Sequence, residues 1–186
     1  MARRIALIGH SGAGKSACLR ELQSRGVITV DPAAADMDAL RWPLSRDEGQ
    51  ALEIVQKALV WLTAPSTPQV VAVRNDEMML DALVRAKREG RDAAEFRELY
   101  FLYLQKPIPE LQKHLKDRTD RAAKEYTMKS YRRFHRDIFK PLADGVIVCS
   151  RRTTAEVTDR ICALLNVPQP TTGLEPKTKT LKPRNL

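Results

Sequence analysis

Residues 9–16 read Gly9-His10-Ser11-Gly12-Ala13-Gly14-Lys15-Ser16, a complete G-x-x-x-x-G-K-[ST] match. The apolar run 5–8 precedes the octet, and Leu19 and Leu22 follow it at helical spacing, so it sits between a strand and a helix. Glycines there let the chain turn until successive N–H groups face one anion, and the helix start adds partial positive charge. The reading predicts that Gly9 through Ser16, together with Ala17, cradle the phosphates of a purine nucleoside triphosphate, ATP or GTP. Lys15 is expected to bridge the β and γ phosphates and Ser16 to offer its hydroxyl to magnesium.

Four more apolar, β-branched runs follow, at 27–30, 70–73, 99–104 and 145–149. Alternating with helical patterns, they predict an α/β fold: a parallel sheet of five strands with helices on both faces. The helix signals between them are specific. Ser45-Arg-Asp-Glu48 reads as a capping box before Leu52, Val55, Leu59 and Leu62. A second box, Thr153-Thr-Ala-Glu156, opens a helix with Val157, Ile161 and Leu164. Residues 77–89 form a periodic segment that Gly90 stops, and Pro109 suits the first turn of a helix ending at Arg118. Residues 1–166 read as one domain, and the Pro- and Lys-rich stretch 167–186 as a disordered tail.

The ends of the predicted strands supply further candidates, because ligands in open α/β sheets lie at the carboxyl edge. Asp31 follows the second strand and can hold magnesium or accept a proton from an attacking hydroxyl. Asp36 and Asp38 come next, and both are expected to line an acceptor pocket. Arg74 ends the third strand, where it can clamp an anionic acceptor. Asp76 is expected to cap the helix that follows.

Net charge is +9, and two segments carry all of it. Residues 113–140 hold ten Lys or Arg against four Asp or Glu, and residues 167–186 hold four against one. The first is read as an arginine-rich lid closing over the triphosphate, with Arg118 and Arg121 neutralising transition-state charge. Arg132, Arg133 and Arg136 are expected to reach the acceptor. Tyr126, Tyr131, Phe134 and His135 interleave with these cations, a mixture that also suits stacked bases and a phosphate backbone. No apolar run approaches the roughly 20 residues of a membrane span. The start runs straight into a strand with no signal-peptide pattern, and Cys18, Cys149 and Cys162 form no CxxC pair. A reduced, cytoplasmic protein is the expectation.

At these residues the sequence resembles the small P-loop kinases, a group that includes shikimate, dephospho-coenzyme A and nucleotide kinases. The resemblance covers about residues 3–166. It rests on the octet, Arg25-Gly26 through Asp31, the Tyr103-Leu104 strand with its Arg118-ending helix, and Leu142-Ala-Asp-Gly-Val-Ile147. It implies strand order 2-3-1-4-5, ATP with magnesium, γ-phosphoryl transfer, and a nucleotide base near Arg118, Arg151 and Arg152. Shikimate kinases have Asp-x-Asp after the second strand, where this chain has Asp31-Pro-Ala-Ala-Ala-Asp36. A second resemblance is to the nucleotide-binding half of the RapZ family of RNA-binding adaptors. It is carried by the octet, Leu22-Gln-Ser-Arg-Gly26, Val30-Asp31-Pro32, Val73-Arg74-Asn75 and Asp117-Arg-Thr-Asp-Arg121.

Together these readings predict a kinase acting on a hydroxyl of a nucleotide, free or within DNA or RNA, such as a hydroxymethyl pyrimidine in viral DNA. A small-metabolite kinase and a nucleotide-binding RNA adaptor are the alternatives.

Overall fold

Ile5, Ala6, Leu7 and Ile8 are almost fully buried, so β1 (Arg4–Ile8) is covered on both faces, as a central parallel strand must be. The computed structural model describes residues 4–116 and 128–165. In it β1 pairs in parallel with β2 (Val70–Ala72) on one side, Ile5 beside Val70. On the other side it pairs with β3 (Leu99–Gln105), Ile5 beside Tyr100. β3 pairs in turn with β4 (Gly145–Val148), Tyr103 beside Val146. The described sheet is parallel throughout, in the order β2-β1-β3-β4.

This corrects the expected five strands to four. The missing member is the run 27–30, and its backbone bonds explain why. The N–H groups of Val27 and Ile28 both go to the carbonyl of Leu22, closing the end of α1 (Lys15–Ser24) instead of joining a ladder. Pro32, which has no N–H, then opens a 3₁₀ turn (Pro32–Ala35). Pairing beside β2 is reduced to a single parallel bridge, Asp36 to Ala72. The remaining strands keep the expected relative order.

Helices flank the sheet in two groups. α1 packs with α8 (Thr154–Leu164), and Arg25 fastens them through Asp159 at 2.5 Å while also holding Glu21 at 2.9 Å. α2 (Glu48–Thr63) packs with α3 (Glu77–Glu89). The short α4 (Ala93–Glu98) leads into β3, and α5 (Ile108–Lys116) leaves it. α6 (Met128–Arg133) runs into a π-helical segment (Phe134–Phe139) and the single turn α7 (Lys140–Leu142).

Local signals were kept at α3 and α8 and shifted at α2. Thr153 and Glu156 make the reciprocal capping box, and Gly90 ends α3 with φ +69°. At α2 the cap is Asp47, whose carboxylate accepts from the Gln50 N–H. Ser45 instead donates its N–H and hydroxyl to Asp76, 2.7 and 2.8 Å away. Asp76 also caps α3, as expected, through Met78 and Met79. The three cysteines are buried free thiols. No helix among the described residues is long and apolar enough to cross a membrane. Arg118, Arg121, Tyr126 and the stretch 167–186 lie outside the described residues.

Candidate active site

Beyond β1 the chain turns at three glycines of positive φ: Gly9 (+149°), Gly12 (+81°) and Gly14 (+102°). Gly9 is constrained twice, since a Cβ there would lie 2.8 Å from the Leu104 carbonyl oxygen of β3. Gly14 is the N-cap of α1 and offers no side-chain cap, and no acid occupies the first turn. The positive end of the helix therefore faces the loop with no acidic side chain of its own first turn beside it. Lys15 is buried, and its ammonium donates to the Gly9 carbonyl at 2.8 Å and to that of His10 at 3.4 Å.

The hydroxyl of Ser16 donates to Asp36 Oδ2 at 2.5 Å. Asp36 is buried, and its other oxygen accepts the Asp38 N–H at 2.9 Å, so the carboxylate is fixed from both sides. The bridge to Ala72 sets it at the carboxyl edge of the sheet. Asp31 stands differently. It is exposed and caps the 3₁₀ turn, accepting from the Ala33 N–H at 2.9 Å. With the expected second strand gone, Asp31 does not end a strand. It lines a side cavity of about 390 Å³ together with Ser16, Arg20 and Asp36.

Ser11, Gly12 and Gly14 to Ala17 line one wall of a cleft of about 640 Å³. Arg20, further along α1, lines it as well, and Asp38, Arg74 and Lys106 face it from other elements. Arg74 sits where the sequence placed it, its Nε 3.2 Å from Asp38 and its Nη1 donating to the Trp42 carbonyl. Gly9, His10 and Ala13 shape the loop from behind; His10 and Ala13 are buried. Asp38, read with Asp36 as lining an acceptor pocket, does line this cleft. Arg20 and Lys106 were not singled out in the sequence, yet both were within reach of the rules in use: Lys106 directly follows β3, as Arg74 follows β2 and Val73, and Arg20 lies one turn beyond Ser16 on α1.

The basic segment departs from expectation where it is described. Tyr131 stacks on the His10 ring at 4.6 Å, and Phe139 meets that ring edge-on at 4.7 Å. The Tyr103 hydroxyl and His135 Nδ1 are 3.1 Å apart. Phe134, Ile138 and Phe139 are buried, the π-helical geometry bringing them to one inward face. Burial of ring area thus turns Tyr131, Phe134 and His135 toward the fold. Arg133 pairs with Glu77 at 2.6 Å and Arg136 with the adjacent Asp137 at 2.6 Å, while Arg132 is exposed. Arg152 turns back to the Val148 carbonyl at 2.8 Å, and Arg151 is exposed with φ +58°. Neither lines the cleft; Thr154 of α8 does.

Burial, then the Lys15 ammonium, then His135 push the pKa of His10 from 6.5 down to about 3, so this ring is neutral. His135 is shifted the same way by burial and by Lys140, and burial with Tyr131 beside it raises Tyr103.

The sequence matches no protein-family profile and no curated protein. Among solved structures the chain is similar to an unliganded sugar kinase from Janibacter sp. HTCC2649. Identity is 16%, the TM-score is 0.57, and the match covers 90% of this chain and 96% of that one. At that identity the likeness is one of fold.

Proposed function

We propose that this chain is an ATP- and magnesium-dependent P-loop kinase that phosphorylates a hydroxyl of an anionic acceptor, a nucleotide either free or within DNA or RNA. The observation that carries the reading is the Ser16 hydroxyl held 2.5 Å from Asp36, beside the buried Lys15 ammonium. Hydroxyl and carboxylate are the hard oxygen donors magnesium takes alongside phosphates. A bound magnesium triphosphate supplies the electrophilic phosphorus and its leaving group.

The chain's own residues do the rest. Loop N–H groups and Lys15 balance phosphate charge, and Asp36 fixes the Ser16 hydroxyl. Asp38 is the one carboxylate among the described residues lining the cleft, so it accepts the proton of the attacking hydroxyl. Arg74, fixed by Asp38 and the Trp42 carbonyl, holds the acceptor's negative group. Lys15, Arg20, Arg74 and Lys106 face that single carboxylate. Such an excess suits an acceptor that brings its own phosphate.

The sugar-kinase likeness favours a second reading, a neutral polyhydroxylated acceptor. Incubating the protein with γ-labelled ATP and separate acceptors distinguishes them. Label on nucleoside monophosphates or on hydroxymethyl-pyrimidine oligonucleotides supports the first reading. Label on neutral sugars alone supports the second. ATP binding with no labelled acceptor points to a nucleotide-binding adaptor.

A further inference from the structure

The phosphate cleft continues past Arg74. Leu44 and Arg74 line it and also line an open groove of about 780 Å³ along the start of α2. The α2 wall is the stripe Gln50, Glu53, Ile54 and Lys57, spaced i, i+3, i+4, i+7 on one helix face. Segment 43–46 forms the facing wall and is pinned on either side of Leu44: Ser45 bonds Asp76, and Arg74 bonds the Trp42 carbonyl. Arg46, Lys57 and Arg74 face one acid, Glu53. Arg46 and Lys57 are exposed, and neither makes an ion pair with another described residue.

We propose that this groove carries a single strand of nucleic acid, an inference that rests on the kinase reading above. The acceptor nucleotide lies at Arg74 beside the phosphate-binding loop, and neighbouring backbone phosphates lie at Arg46 and Lys57. Three observations support a strand over a mononucleotide. A cleft of about 640 Å³ already falls in the range of roughly 300–1,000 Å³ that holds small ligands, so the joined groove is additional room. Its cations come from three separate segments, Arg46 on the facing wall, Lys57 on α2 and Arg74 after β2, which suits several phosphates of a backbone more than a single phosphate group. Leu44, 55% exposed at the junction, gives a base an apolar surface to rest on.

The test is fluorescence anisotropy with labelled dT and U oligonucleotides of about 12 nucleotides, within the span of single-strand sites. Wild type should bind both strands or one of them. Arg46→Ala with Lys57→Ala should weaken binding about tenfold and reduce the salt slope by about 1.4, two phosphates at about 0.7 each. Glu53→Gln should tighten binding several-fold by removing a like charge. Affinity for a fluorescent ATP analogue, measured on the same proteins, reports whether the loop and fold are intact. With that affinity intact, unchanged strand binding and salt slope in the double variant would overturn the proposal, as would no binding by wild type. A labelled poly-glutamate peptide that binds equally and loses affinity equally would assign the groove to acidic polypeptide and overturn it too. Should no acceptor be phosphorylated while strand affinity falls as expected, the groove stands and the kinase reading alone fails.

Discussion

The Ser16 hydroxyl and the Asp36 carboxylate, 20 residues apart in sequence, meet at 2.5 Å and join the first turn of α1 to the segment bridging β2. If this pair holds magnesium, Asp36→Asn should raise the magnesium concentration needed for ATP turnover by about 10- to 100-fold. Asp31→Asn should leave that requirement as in wild type, because the Asp31 carboxylate caps a turn. A magnesium titration of both variants decides the assignment. A shift in Asp31→Asn alone would move the metal role to that residue.

Gly9 and Gly14 both have positive φ, yet only Gly9 also lies against backbone. Gly9→Ala should destabilise the fold by about 1–3 kcal/mol and weaken ATP binding, and it should do more damage than Gly14→Ala. Urea unfolding and ATP titration read both effects. Equal losses in the two variants would show that the Leu104 contact costs nothing.

His10 gives a pH dependence whose sign is fixed. Its folded pKa, about 3, lies below the ordinary 6.5. As pH falls from 7 to 5 the unfolded chain takes up a proton that the folded chain refuses, so this group's contribution to stability is lost on acidification. Over that interval it amounts to about 2 kcal/mol. His10→Phe keeps a ring against Tyr131 and removes the titration, so its stability should fall less between pH 7 and 5. Identical pH slopes for variant and wild type would contradict the buried neutral imidazole.

The turn of the octet was legible because its glycines fall where the backbone takes positive φ, at Gly9, Gly12 and Gly14. Several predicted helix termini were equally local: Asp76, Gly90, Pro109 and the Thr153–Glu156 box each act within a few residues of themselves. What the sequence hid was decided between distant segments. Residues 27–30 have strand composition, but their N–H groups close α1 at Leu22, and only the folded chain shows that competition. The same loss moved the carboxylate beside Ser16 from Asp31 to Asp36. Ser45 met Asp76 across 31 residues, leaving the cap of α2 to Asp47. Tyr131 and His135 interleave with arginines in the sequence, yet Tyr131, on α6, stacks on His10, and His135, in the π-helical turn that follows, meets Tyr103.

Arg74 separates an anionic acceptor from a neutral one. Arg74→Ala should raise the KM for a nucleotide acceptor by about 10- to 100-fold, the worth of a hydrogen bond to a charged group, and leave the KM for ATP near wild type. Steady-state kinetics with each substrate varied in turn gives both values. An unchanged acceptor KM would remove Arg74 from acceptor binding.

The central claim, γ-phosphoryl transfer at the Lys15–Ser16–Asp36 site, is tested most directly by following γ-labelled ATP with magnesium and a nucleotide or oligonucleotide acceptor, wild type beside Lys15→Ala. The account predicts labelled acceptor with wild type and a loss of about 10²-fold or more with Lys15→Ala, whose fold remains intact by circular dichroism. Wild-type transfer by a folded Lys15→Ala protein, or ATP bound by wild type with no label reaching any hydroxyl, would contradict it.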